Sequence, residues 1–152
     1  MLHIDEKNIR LGLIAEDRDD CIRKICAVMA GNGYVGGDYA DAVIEREKMY
    51  PTGLPTEGTI VAIPHAAEGE VLRTGVGIAV LESPVGFYNI ADPEELLMAE
   101  VVFVLANFEP GKQLDDLRSL MECLSEPEML KGIRYAACAS EIVEIFRSFE
   151  PE

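Results

Sequence analysis

Apolar residues recur at Ile22, Ile25, Cys26 and Met29, an i, i+3, i+4, i+7 spacing that places them on one face of a helix. Asp19 or Asp20 stands where an N-cap is needed, and Gly31 and Gly33 follow where the helix must stop, so a helix is predicted from there to about Ala30. A second helix is predicted over 39–49, capped by Asp38 and ended by Pro51. Ala42, Val43 and Ile44 face inward in part, and Glu45, Arg46, Glu47 and Lys48 form its polar end. Next comes PTGLPTEG, with two prolines and two glycines in eight residues, which reads as a loop.

Extended segments show a different pattern. A short first strand is predicted over 8–13, and TIVAI reads as a buried strand broken by Pro64. Segments 75–81 and 99–106 are further strands, with a weaker one over 85–90. From Lys112 the spacing turns helical again. Leu114, Leu117, Leu120, Met121 and Leu124 share one helix, Pro127 opens a shorter one, and a last runs from Ser140 to about Ser148. Helices flanking a small sheet make an α/β fold. No repeat or linker divides the 152 residues, so 1–152 is expected to form a single domain.

Composition narrows the partners. A formal net charge of −15 argues against nucleic acid and anionic membranes, which are held by lysine and arginine patches. The longest unbroken apolar run, Val101 to Ala106, is too short to span a bilayer, so no membrane insertion is expected. The N-terminus MLHIDEKNIR is charged where a signal peptide needs apolar residues, which implies a cytoplasmic protein. Cys21, Cys26, Cys123 and Cys138 form no CxxC pair and have no histidine at zinc spacing; they are expected as reduced core or half-buried residues. No cofactor or metal site is predicted.

The sequence has two histidines, and His3 lies in a terminus expected to be mobile, which leaves His65 for any imidazole chemistry. Ile63-Pro64 takes the chain out of its strand, because a residue before proline is pushed to extended geometry and proline cannot donate to a ladder. His65 is thus displayed at a strand end. Ala66 and Ala67 after it are small enough to let another surface approach an exposed ring. A neutral imidazole, with an ordinary pKa of about 6.5, has a lone pair that can attack a phosphoryl group without a separate base. The plainer alternative is a strand-end histidine bonded to nearby backbone.

The run from Arg46 through PTGLPTEGTIVAIPHA resembles the signature of the fructose-mannitol class of enzyme IIA domains of the phosphotransferase system. There an apolar strand ends in A-[apolar]-P-H and that histidine carries the phosphate. REKMYPTGLP looks most like the galactitol-type branch. The resemblance implies a mixed sheet flanked by helices, a phosphohistidine at His65, HPr as phosphodonor and a cysteine of enzyme IIB as acceptor. The membrane component, enzyme IIC, would be met only indirectly, with a polyol such as galactitol imported downstream.

The same resemblance places Arg46 near the active histidine, where a guanidinium fork suits phosphate oxygens; by itself it could equally be a solvated helix-end charge. The loop between Arg46 and His65 is longer than in mannitol-type members. Where many members carry a second histidine before the helix-opening leucine, this chain has Gln113 before Leu114. An amide can orient by hydrogen bonding but cannot supply a proton as an acid, and a solvent-facing first-turn residue is the alternative. Lys112 is expected to be merely exposed. Gly75 and Gly77 lack a phosphate-loop spacing and are expected to permit a turn or bulge at the start of a strand. Glu68 and Glu70 should face solvent or a basic patch on a partner. Two other uses of such a domain remain open: a stand-alone regulator, nitrogen-related or transcriptional, switched by phosphorylation of His65, and a plain interaction module.

Overall fold

Val101 to Ala106 are all fully buried, as a strand covered on both faces requires. In the computed structural model, which describes residues 2–109 and 111–149, this run is the inner half of β5 (Leu96–Ala106). The other strands are β1 (Ile9–Leu13), β2 (Gly53–Pro55), β3 (Ile60–Ala62) and β4 (Gly75–Tyr88), and the sheet order is β1-β4-β5-β3-β2. β1 runs parallel to β4 and β3 parallel to β5, while β4–β5 and β2–β3 pair antiparallel. The helices are α1 (Arg18–Gly31), α2 (Tyr39–Met49), α3 (Gln113–Leu124), α4 (Pro127–Arg134) and α5 (Ala139–Phe149).

Two cores lie on opposite faces of this sheet. Ile22, Ile25 and Met29 of α1 and Tyr39 and Val43 of α2 meet Ala79, Val102 and Val104 on one face. Leu120, Leu130 and Phe146 of the three C-terminal helices meet Val101, Phe103 and Leu105 on the other. The predicted mixed sheet flanked by helices is therefore the observed α/β architecture. The predicted unit 1–152 includes positions 1, 110 and 150–152, which lie outside the described residues.

Several local expectations change. Asp17, not Asp19 or Asp20, caps α1, accepting the Asp20 N–H at 2.8 Å. The strands predicted at 75–81 and 85–90 are one strand, β4, whose pairing with β5 shifts register between Val80 and Val85; Pro84 sits in that irregularity, where its missing donor costs no ladder bond. Three residues of the predicted loop PTGLPTEG form β2, an edge strand that tolerates Pro55. Gly75 and Gly77 lie at the start of β4 as expected, but both pair regularly, with Ala106 and Val104, and form no turn or bulge. A Cβ on Gly77 would sit 2.7 Å from Ile25 Cγ2 and Met29 Sδ, so the glycine lets α1 approach the sheet.

Of the apolar residues that share α3, Leu120 and Leu124 are buried together with Cys123, while Leu114 and Met121 are exposed. The helix docks by its C-terminal half. Cys138 is exposed, in the turn before α5, whereas the other three cysteines are buried. The N-terminal segment packs rather than hanging free: Leu2 is in the core, and the His3 carbonyl accepts the Val76 N–H at 3.3 Å. Among the described residues no helix is long and apolar enough to cross a membrane.

Candidate active site

Because β3 and β5 are parallel, their C-terminal ends lie together, and the chain leaving β3 stays beside β5 after the proline. The Pro64 carbonyl accepts the Leu105 N–H at 3.0 Å and His65 pairs with Leu105 in an isolated parallel bridge. The proline ends the strand without freeing the segment. His65 is consequently only 9% exposed, less open than its sequence context suggests, because the segment lies against β5 instead of projecting from the sheet.

The His65 ring is oriented by its own backbone: Nδ1 lies 2.8 Å from the Ile63 carbonyl. A carbonyl oxygen only accepts, so Nδ1 carries the hydrogen and Nε2 keeps the lone pair. Burial pushes the imidazole pKa below its ordinary value. The Ile63 carbonyl works against that shift and the positive charge of Arg46 adds to it. Such a histidine is neutral near neutrality, with one nitrogen prepared as nucleophile.

Peptides on both sides of His65 are fixed. The Ala66 N–H donates to Tyr39 Oη at 3.3 Å, and that hydroxyl donates to the Leu105 carbonyl at 2.7 Å. The Ala66 carbonyl accepts from Gln113 Nε2 at 2.8 Å. Gln113, the first residue of α3, therefore supports the loop after His65 and joins the positive end of a helix dipole to it. Lys112 is exposed, as are Ala67, Glu68 and Glu70, while Ala66 is buried.

Arg46 is half-buried near the end of α2, its guanidinium 5.0 Å from the centroid of the Tyr50 ring. Its Nε is buried with no hydrogen-bond partner, and among the described residues Arg46 forms no ion pair. Arg46, Met49, Tyr50, Ala66, Ala67 and Glu68 line a cleft of about 390 Å³. A second, of about 330 Å³, shares Ala66 and Ala67 and reaches Asn107, Phe108 and Gln113. Among the described residues no cluster of histidine, cysteine or carboxylate side chains could hold a metal ion.

Two residues beside the site were missed by sequence reasoning. Glu47, assigned to the polar end of α2, is 1% exposed, and Tyr39 is the hydroxyl that holds Ala66. Both were legible in the phase of the helix, since Tyr39, Val43 and Glu47 recur every fourth residue on the inward face. A charged residue in that phase signals a buried polar contact.

The chain was compared with known proteins. The family model "Phosphoenolpyruvate-dependent sugar phosphotransferase system, EIIA 2" matches residues 2–149. The mannitol-specific phosphotransferase enzyme IIA component of Bacillus subtilis (strain 168) is 29% identical over 93% of this chain and 94% of its own length. The galactitol-specific EIIA component of Escherichia coli (strain K12) is 26% identical over 82% of this chain and 83% of its own length. Mannitol-specific EIICBA components also match, but the chain spans 22% of their length. Among solved structures, the complex of enzyme IIAMTL and phosphorylated enzyme IIBMTL from Escherichia coli aligns with a TM-score of 0.79 and 23% identity over 97% of this chain and 99% of that one. The chain thus belongs to the EIIA 2 family of the phosphoenolpyruvate-dependent sugar phosphotransferase system, whose members are phosphotransferases that work through a phosphohistidine.

Proposed function

We propose that this chain is a cytoplasmic phosphocarrier that takes a phosphoryl group from phospho-HPr onto Nε2 of His65 and passes it to a cysteine of enzyme IIB. The observation that carries this is the 2.8 Å contact between His65 Nδ1 and the Ile63 carbonyl, which leaves Nε2 unprotonated. In the first transfer the Nε2 lone pair attacks phosphorus, and the P–N bond to the donor histidine breaks with its electrons returning to that ring. As Nε2 bonds to phosphorus the His65 ring gains positive charge, and the Nδ1–H···O=C bond to Ile63 stabilises it. In the second transfer a thiolate attacks phosphorus and His65 departs as neutral imidazole. Neither step needs a general acid, which suits a site with Gln113 where other members carry a histidine.

Arg46 supplies the positive charge that a phosphoryl group requires. Its unpartnered buried Nε and its effect on His65 support that role. Gln113 orients the His65 loop through Ala66 rather than contacting the imidazole. The mannitol- and galactitol-specific relatives point to galactitol or a related polyol as the sugar imported downstream.

Incubation with phosphoenolpyruvate, enzyme I and HPr should give an acid-labile, base-stable phosphate that is absent in His65→Ala and discharged by enzyme IIB. An unlabelled wild-type protein refutes the phosphocarrier assignment. A labelled protein that no enzyme IIB discharges favours the regulatory use of the same histidine.

A further inference from the structure

A row of buried groups connects α2 to His65. Glu47 accepts two hydrogen bonds from Thr52, one from the backbone N–H and one from the hydroxyl, each at 2.7 Å. Thr52 in turn accepts the Ile63 N–H, on Oγ1 at 3.2 Å and on its carbonyl at 3.3 Å. The carbonyl of that same Ile63 holds His65 Nδ1. A hydroxyl has one hydrogen, and a carboxylate can only accept. Glu47 therefore takes the Thr52 hydrogen and leaves an oxygen lone pair aimed at Ile63.

Glu47 lies in line with Tyr39 and Val43, where an apolar residue would satisfy the core. Burial pushes its carboxyl up to about 7 against the opposing effects of Thr52, Arg18 and Arg46, so the ionised group works against folding stability. What the carboxylate secures instead is the placement of one peptide unit. We propose that Glu47 is a positioning residue for phosphoryl transfer, acting through Thr52 to fix the Ile63 peptide and with it the tautomer and orientation of His65. This rests on His65 being the phosphoryl acceptor.

Glu47→Met fills similar space while accepting neither bond. Glu47→Gln keeps an acceptor for the Thr52 N–H, but its amide then donates to Oγ1 and no longer takes the hydroxyl hydrogen. Thr52→Val breaks the next link and Thr52→Ser restores it. Two readouts are needed on the full chain: the ¹⁵N NMR shifts of the unphosphorylated His65 ring, which report the tautomer, and the kcat and KM for transfer from phospho-HPr. Glu47→Met and Thr52→Val should each introduce the Nε2–H tautomer and lower kcat about tenfold with KM unchanged. Glu47→Gln, which keeps one of the two bonds, should fall between them and the wild type, and Thr52→Ser should retain most of the rate.

A folded Glu47→Met with a single Nδ1–H tautomer and wild-type kcat overturns the assignment. If that variant does not fold, the same result in Thr52→Val overturns it. A wild-type protein that takes no phosphoryl group overturns instead the acceptor role of His65, while the ring shifts still read whether Glu47 governs the tautomer.

Discussion

Replacing Glu47 by glutamine removes a charge from the interior without removing the side chain, and its effect on stability must depend on pH. Glu47 is 1% exposed, and its carboxyl is pushed from an ordinary 4.5 up to about 7 by burial. Between those values the unfolded chain has lost the proton that the folded chain retains, so stability falls as pH rises through that window. Below 4.5 both states are protonated and no penalty applies. Glutamine carries no such dependence. Any constant loss of a Thr52 hydrogen bond, and the titration of His65, present in both proteins, cancel in the pH dependence of the difference. At about 1.4 kcal/mol per tenfold change in proton affinity, the wild type should lose about 2.5 kcal/mol relative to Glu47→Gln between about pH 5 and about pH 8. Urea denaturation of both proteins at the two pH values measures this. With a slope of about 2 kcal/mol/M the difference in midpoints should change by about 1 M. A difference that stays flat with pH would refute the claim that Glu47 carries a buried, raised titration.

Tyr39→Phe leaves the buried Ala66 N–H without its acceptor and the Leu105 carbonyl without that donor. It should cost about 1–3 kcal/mol in the same urea assay, and an unchanged midpoint would remove Tyr39 as support for the His65 loop. Gly77→Ala forces a methyl against Ile25 and Met29 at 2.7 Å, so it should destabilise by about 1–3 kcal/mol and lower Tm by about 3–9 °C, read by calorimetry. Arg46→Ala should slow transfer from phospho-HPr about 10–100-fold with a wild-type melting profile. Removing its charge should also raise the His65 pKa in an NMR titration, since Arg46 disfavours the imidazolium. A wild-type rate and an unmoved titration would make Arg46 a bystander.

The elements legible in the sequence were those with one dominant physical signal. Ile22, Ile25, Cys26 and Met29 are buried as their spacing demands, and 101–106 is as enclosed as an unbroken apolar run implies. What stayed hidden depended on contacts between distant segments. Segments 75–81 and 85–90 read as two strands, but pairing with β5 joins them across a register shift. PTGLPTEG looks irregular by composition, yet pairing with β3 gives it a three-residue edge strand. Exposure of His65 was inferred from its neighbours, and the pairing with Leu105 that encloses it was not visible in them. The polar end of α2 misled for a similar reason: Glu47 is charged in composition but inward in phase, and its Thr52 donors come from the following segment. Arg46 and Gln113 do lie on the elements that border His65, with Gln113 reaching it through Ala66.

The central claim is that Nε2 of His65 carries the phosphoryl group because Ile63 holds the hydrogen on Nδ1. NMR of the ¹⁵N-labelled protein, phosphorylated through phosphoenolpyruvate, enzyme I and HPr, tests it directly by identifying the nitrogen bonded to phosphorus. The structure predicts phosphorus on His65 Nε2 with Nδ1 still protonated; phosphorus on Nδ1, or on any residue other than His65, would contradict it.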